Sequence, residues 1–355
     1  MRKLRVFLVF LATACLAACS GGQGQNPDGG ASGNPPPPPP AAPPPPPPPD
    51  PTPTPAQGTL ACSPCKKLVF MSVVTGQEEA ESEIYTINAD GTDLTRLTDN
   101  QVYDGEPAWS PDGQRIAFVS GRDVSGDATG GSWRRDLYVM DADGRNVRRL
   151  AASTSGGRNP AWSPDGTRIV YEGNHDDYSG ILEVPVDGGT PMLLFSTPGA
   201  DMQPAWAPDG SRLAVVSEWF AYDFVWDIFL VSPDGSGFSA LTDGNIFDGR
   251  DYVEPTWSPD GSRLALGVTS RRGIFEFETQ IGVMDVNGSN LKILTGTAGT
   301  SASDLYAGTP SWSPDGTIIA YSTCNGGRCD IRWIKVDGSE YGDIVRNAMH
   351  PDWQR

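Results

Sequence analysis

The chain of 355 residues is poor in the side chains that ordinarily do chemistry. It has two histidines, His175 and His350, far apart in sequence. No Gly-x-Ser-x-Gly elbow and no His-Glu-x-x-His pair accompanies them, so neither a hydrolase nucleophile nor a zinc-peptidase site is written in these motifs. Asp141-Ala-Asp-Gly-Arg-Asn146 opens like a cation loop. It lacks the spaced third ligand and the Glu at position twelve that an EF-hand needs. Its aspartates are better read as turn formers that bond their own backbone two residues on. Cys62-Ser-Pro-Cys65 has redox-motif spacing without the βαβ context of a redox centre. Cys324 and Cys329 flank Asn-Gly-Gly-Arg between two strand-like runs, the arrangement of a hairpin disulfide in an oxidising compartment. Local disulfides, or cross-pairs between the two sets, are favoured, and zinc held by all four is the alternative. The expectation is no catalytic residue, no cofactor and no metal site.

Two groups of residues could instead bind. Aromatic and arginine side chains, the types enriched in interface hot spots, crowd three variable segments. They are Trp219, Phe220, Tyr222 and Phe224; Phe247 and Tyr252; and Arg271, Arg272 and Phe275. The second group is Glu106, Asn159, Gln203, Glu254, Thr309 and His350, each standing immediately before a proline. What positions both groups is a repeat.

Pro107-Ala-Trp-Ser-Pro-Asp-Gly113 returns at Pro160–Gly166, Pro204–Gly210, Pro255–Gly261 and Pro310–Gly316, with Trp-to-Trp steps of 53, 44, 51 and 55 residues. Such a period marks a propeller or solenoid. Each unit reads as four short strands: one around the Trp, a Ser-Pro-Asp-Gly turn, a β-rich run such as Arg115–Ser120, a variable loop, a third run such as Asp136–Met140, an Asp-Gly turn, and a fourth run such as Val147–Leu150. The N-terminal end offers strands two to four without a first, from Lys67 to Thr98. The C-terminal His350-Pro-Asp-Trp353 offers a first strand without its blade. Joined, they complete a sixth unit, and closing the sheet this way removes exposed edges. One Trp at the same place in every unit is expected to be an inter-blade wedge, burying about 150–250 Å², or roughly 4–6 kcal/mol at most.

The unit Pro-Ala-Trp-Ser-Pro-Asp-Gly, Arg-Ile-Ala-Phe, Asp-Leu-Tyr-Val-Met-Asp-Ala-Asp-Gly, Arg-Arg-Leu resembles the WD40-like PD40 repeat of TolB-type propellers, over nearly all of residues 66–355. The resemblance implies an all-β fold, a six-bladed propeller of four-stranded antiparallel blades closed by the C-terminal strand. The α/β domain that TolB carries ahead of its propeller has no counterpart here. Related propellers precede a hydrolase domain in prolyl oligopeptidase-type enzymes, and some pectate-type lyases place a histidine-rich metal site on one. Alternating strand direction puts the short Asp-Gly turns on one face and the variable loops on the other, and the pre-proline residues ring the channel mouth on that second face.

Residues 1–18 have a basic head, a short apolar run and small residues, a secretory signal too short for a permanent span. They end at Leu16-Ala-Ala-Cys19, which resembles the bacterial lipobox and implies lipidation of Cys19 and a firm membrane anchor. Residues 19–60 form a Gly- and Pro-rich tether whose part from Pro35 to Pro55 reaches roughly 60 Å as polyproline II. The propeller is placed at 61–355. Without residues 1–18 the chain has 23 basic and 44 acidic residues, which argues against nucleic acid. The expected role is a non-catalytic, monomeric envelope lipoprotein, outer-membrane anchored and facing the periplasm, whose variable face binds an envelope protein or peptide. The alternatives are a glycan- or small-ligand-binding propeller, or a polysaccharide lyase or hydrolase.

Overall fold

The structure is a computed structural model that describes residues 53–55, 66–73, 82–123, 135–151, 157–175, 178–218, 225–242, 250–271, 277–296, 306–325 and 328–355. Among these every regular element is a strand. In chain order they are β1 (Thr54–Pro55), β2 (Lys67–Val73), β3 (Ser82–Asn88), β4 (Thr95–Arg96), β5 (Asp104–Trp109), β6 (Arg115–Ser120), β7 (Asp136–Asp141), β8 (Arg148–Ala151), β9 (Arg158–Trp162), β10 (Arg168–His175), β11 (Tyr178–Pro185) and β12 (Met192–Phe195). There follow β13 (Asp201–Trp206), β14 (Leu213–Ser217), β15 (Asp227–Val231), β16 (Ser239–Ala240), β17 (Arg250–Trp257), β18 (Arg263–Arg271), β19 (Phe277–Asp285), β20 (Lys292–Ile293), β21 (Tyr306–Trp312), β22 (Ile318–Asn325), β23 (Arg328–Lys335), β24 (Tyr341–Arg346) and β25 (Met349–Trp353).

Four separate four-stranded antiparallel sheets form: β5–β8, β9–β12, β13–β16, and β25-β2-β3-β4. The fifth sheet has nine strands. It contains the antiparallel runs β17–β20 and β21–β24, joined by a single parallel bridge from Thr279 to Tyr306, with β1 added outside β24. The arrangement is propeller-like. The C-terminal β25 pairs antiparallel with β2, Leu68 opposite Trp353, so both chain ends share one sheet. Residues 53–55, inside the stretch read from composition as tether, are thus part of a sheet, because β24 leaves its outer edge open to pairing.

The apolar core lies between sheets. Each hydrophobic cluster holds one tryptophan of the repeat and packs neighbouring four-stranded runs against each other. Trp162 sits among Ala117, Val119 and Val139 of one sheet and Ile169, Tyr171 and Val184 of the next. Trp109, Trp206, Trp257, Trp312 and Trp353 occupy the same place in their own clusters, all at most 5% exposed. The indole N–H adds direction. Trp162 Nε1 donates to Ala108 O at 3.1 Å, Trp257 Nε1 to Ala205 O at 3.1 Å and Trp312 Nε1 to Thr256 O at 3.2 Å, each reaching the preceding sheet. The arginine opening the preceding sheet's second strand lies over the ring: Arg115 on Trp162 at 5.0 Å, Arg168 on Trp206 at 5.3 Å, Arg263 on Trp312 at 5.1 Å.

The Pro-Asp-Gly turns are held by their own atoms. Asp112 Oδ1 accepts from Ser110 Oγ at 2.5 Å and from Gln114 N at 3.0 Å, while Gly113 takes a positive φ of 66°. Asp165, Asp260 and Asp315 repeat the pattern. These bonds hold Asp165 and Asp260 down at about 2. The aspartates serve turn geometry, as their spacing suggests.

Removing one wedge should unseat one inter-sheet cluster. Trp312→Ala is expected to cost about 3–5 kcal/mol, read as a lowered urea midpoint, whereas Trp312→Phe should lose less because only the Nε1 bond and part of the ring go.

Candidate functional site at the central cavity

The innermost strands β5, β9, β13, β17, β21 and β25 converge on a cavity of about 180 Å³, whose lining includes Glu106, Asn159, Gln203, Glu254, Thr309 and His350. All six pre-proline residues named from the sequence are therefore brought together. They share an unusual backbone: φ is 51°, 49°, 52°, 54°, 48° and 54° respectively. A non-glycine residue with positive φ costs energy and persists only where its surroundings enforce it. The enforcing feature is a bulge. Pairing skips from Gly105 to Ala108 on β5, Met202 to Ala205 on β13, Val253 to Thr256 on β17 and Gly308 to Ser311 on β21. Proline has no N–H to lose there, and the bulge re-aims the residue before it.

The turned-out residues then bond to one another around the cavity. Glu106 Oε2 accepts from Asn159 N at 2.6 Å, Gln203 Oε1 from Glu254 N at 2.9 Å, and Glu254 Oε2 from Thr309 N at 2.6 Å. Where no such side chain reaches, the second strand supplies one. Ser322 Oγ accepts from His350 N at 2.9 Å and pairs with Thr309 Oγ1 at 2.6 Å, and Glu172 accepts from Gln203 N. The bonds to backbone N–H groups tie the first strand of one repeat to the first strand or second strand of its neighbour.

Behind the ring the charges are concentrated on one side. Glu106 Oε1 is 3.5 Å from Arg135 and 3.4 Å from Tyr103 Oη, with Arg135 stacked 3.4 Å from the Tyr103 ring centre. Asn159 Nδ2 donates to Glu172 Oε2 at 3.0 Å. Burial works to raise Glu106, but Arg158, Arg135 and His350 outweigh it and its carboxyl lies below the ordinary value. Glu172 is pushed up to about 7 by burial and by the Glu106 charge, against Arg158. Burial lowers His350, with Arg135 and Arg158 adding to the effect and Glu106 opposing it. Across the cavity, burial raises Glu254, whose oxygens accept from Thr309 N and, at 2.7 Å, from Tyr306 Oη. Tyr306 is pushed well up by burial and by Glu254. Chemically the ring is a set of committed acceptors around a small polar space. Among the described residues no group of three or more His, Cys, Asp or Glu is placed to hold a metal.

The aromatic patch is not assembled by the described residues. Trp219, Phe220, Tyr222, Phe224, Phe247, Arg272 and Phe275 lie outside them, as do Cys19, Cys62 and Cys65, and only the backbone of Arg271 is described. Tyr252 is a correction. It is 8% exposed and packs with Val216, Trp226 and Val268, because alternation on β17 turns its ring into the core. Cys324 and Cys329 are joined by a disulfide that closes the β22–β23 hairpin.

Sequence reasoning missed the layer behind the ring: Tyr103, Arg135, Arg158, Glu172, Tyr306, Ser322 and Asp352. Two left a trace. Glu172 interrupts the apolar run Ile169-Val-Tyr, and Asp352 stands where the other repeats have Ala, Thr or Ser between Pro and Trp. Asp352 Oδ2 accepts from Trp109 N at 2.8 Å and Oδ1 from Ser311 Oγ at 3.1 Å, linking β25 to the strands on either side, and burial raises its carboxyl.

A propeller-like array of four-stranded blades around a polar cavity defines the class. Residues 189–354 match the family model described as PD40, TolB beta propeller domain. Over those residues the chain is similar to TolB-type β-propeller domains. It is 38% identical over 85 residues to the Tol-Pal system protein TolB of Legionella pneumophila, covering 24% of this chain and 19% of that one. It is 42% identical over 65 residues to the uncharacterized peptidase YuxL of Bacillus subtilis, covering 18% and 9%. The chain thus spans less than a fifth of the length of these curated relatives. The crystal structure of TolB from Acinetobacter baumannii superposes with a TM-score of 0.65 at 19% identity, covering 81% of this chain and 66% of that one, a likeness of fold.

The raised carboxyl makes a signed prediction. Between an unfolded value of 4.5 and a folded value of about 7, the folded state binds a proton at Glu172 that the unfolded state releases. Stability from this group is therefore lost as pH rises through that window. Glu172→Gln should gain on the natural chain between pH 5 and pH 8 in urea midpoints, whereas parallel pH curves would refute the assignment.

Proposed function

We propose that this chain is a non-catalytic envelope lipoprotein whose propeller binds a protein or peptide partner on the face of its variable loops. The observation that carries this reading is the commitment of the cavity's polar atoms. Glu106, Gln203, Glu254 and Ser322 spend acceptor positions on neighbouring backbone N–H groups, so the ring serves the scaffold. A carboxylate that holds a strained strand in place is poorly suited to shuttle protons during turnover. Binding then falls to the variable segments, whose Trp219, Phe220, Tyr222, Phe224, Phe247, Arg271, Arg272 and Phe275 have the side-chain chemistry of interface anchors.

The scaffold of this proposal is a closed six-bladed ring, residues 61–355. Its support is that six clusters each hold one repeat Trp between two sheets, and that β17–β20 and β21–β24 are separate four-stranded runs bridged once. In the proposed organisation residues 1–18 are removed, Cys19 carries the lipid and 19–60 is the tether. The protein is then a monomer on the periplasmic side of the outer membrane. Kinship with a Tol-Pal system protein supports an envelope setting.

A second reading is a glycan or other small ligand in the cavity, favoured by the ionisable and amide side chains of Glu106, Asn159, Gln203, Glu254 and His350 in its lining. A lyase or hydrolase is the weaker alternative, since the peptidase relative shares only 9% of its length with this chain.

Two experiments decide. In-cell cross-linking and pull-down with the natural chain should capture an envelope protein, and Trp219→Ala with Phe220→Ala and Tyr222→Ala should lose it. Undiminished capture by that variant would sink the loop-face assignment, and turnover of a polysaccharide panel abolished by His350→Ala would favour the enzyme instead. For the ring, Asp352→Ala should cost about 1–3 kcal/mol by orphaning Trp109 N. An unchanged urea midpoint would count against closure through β25.

A further inference from the structure

The outermost strands of the sheets are short. β4, β16 and β20 have two residues each, and β8 and β12 four. β24 has six. It is also the outer strand with something outside it: β1 pairs with it antiparallel, Thr54 opposite Arg346 and Pro55 opposite Val345. The two observations are physically linked. An edge strand presents unpaired N–H and C=O groups, and pairing on both sides keeps it extended. Ile344 and Val345 of β24 are 4% and 0% exposed, as Leu150 and Ala151 of β8 are 5% and 4%, whereas β4 and β16 are exposed at both positions. On the other partner, Pro53 is buried while Thr54 and Pro55 are exposed. The composition of β1 fits an added edge. Proline cannot donate to a ladder and is tolerated where its missing N–H faces solvent. Its φ is already set near that of an extended chain, so ordering it costs little entropy.

We infer that the outer edge of β24 is a docking site for an extended, proline-flanked segment, and that this chain fills it with its own residues 53–55. The docked segment has a mechanical consequence, which rests on the lipoprotein reading proposed above. The segment is held at the rim, on the outer edge of β24. The span from Cys19 then ends at Pro53 instead of Lys66. At about 3.1 Å per residue this removes roughly 40 Å of reach, so docking and release of β1 would set two distances from the membrane.

The test uses the full chain. Thr54→Cys with Arg346→Cys should form an intramolecular disulfide under mild oxidation, mapped by mass spectrometry. The control pair, Thr54→Cys with Val147→Cys, which directly precedes β8 of another sheet, should give at most about a tenth of that yield, since a disulfide needs closely apposed Cα atoms and Thr54 pairs with Arg346. Replacing Pro53-Thr-Pro55 by Gly-Ser-Gly should speed backbone hydrogen exchange in residues 343–346 by about ten-fold while leaving the inner strands β5, β9 and β13 unchanged. A 54–346 cross-link no more abundant than the control, or one that joins two chains, overturns the inference. So does exchange in β24 that is the same in both proteins. Failure of the partner pull-down described above would touch only the membrane-distance consequence, because cross-linking and exchange read the docking directly.

Discussion

One indole at each sheet boundary carries this architecture. A four-stranded sheet of short strands cannot bury its own apolar faces. Each sheet here is stable because a tryptophan from the next one fills the gap between them. The wedge does three things with a single side chain. It fills volume, as Trp162 does among Val119, Val139 and Tyr171. In Trp162, Trp257 and Trp312 it spends its N–H on the carbonyl of a residue in the preceding repeat's first strand. It also offers a face to a cation, as with Arg263. Trp353 fills the corresponding volume between β2, β3 and β22–β24, and Asp352 beside it bonds to both flanking strands. The last residues of the chain therefore matter as much to the core as any internal repeat.

The cavity follows from the same geometry. Bringing wedge tryptophans inward places the residue before each proline at the centre. The bulge turns that residue to positive φ, and six strained positions then face one space. The strain is held by bonds running from sheet to sheet. The ring is thus both the inner seam of the scaffold and its most polar feature. This dual character explains the electrostatics. Glu106 can stay charged because Arg135 and Arg158 are near, while Glu172 shares those cations and is pushed to about 7.

Much of this was legible in residue order. The repeat, its turns, the tryptophan wedges and the six cavity residues could all be placed by number, because a repeated turn motif repeats its surroundings. Tyr252 shows the limit. An aromatic near a variable segment reads as surface, but the alternation of β17 sends it into the core. The second layer was harder still. Arg135, Arg158 and Tyr306 stand in variable segments, and nothing local says that they converge on Glu106 and Glu254. The pairing of β1 with β24 was hidden by composition, since a proline-rich run carries no strand pattern.

What the sequence by itself determined is the unit: four short strands, a self-bonded Asp-Gly turn and one tryptophan, set by local turn chemistry and by alternation along each strand. What only the tertiary structure decided is the neighbourhood: which carboxylate meets which arginine, which backbone N–H each ring residue accepts, and which strand Thr54 and Pro55 pair with. The physical reason is distance along the chain. The turns are fixed by contacts between residues two to five positions apart. The ring contact from Asn159 to Glu106 spans 53 positions and that from Trp109 to Asp352 spans 243. Such contacts exist only after every sheet has packed against the next.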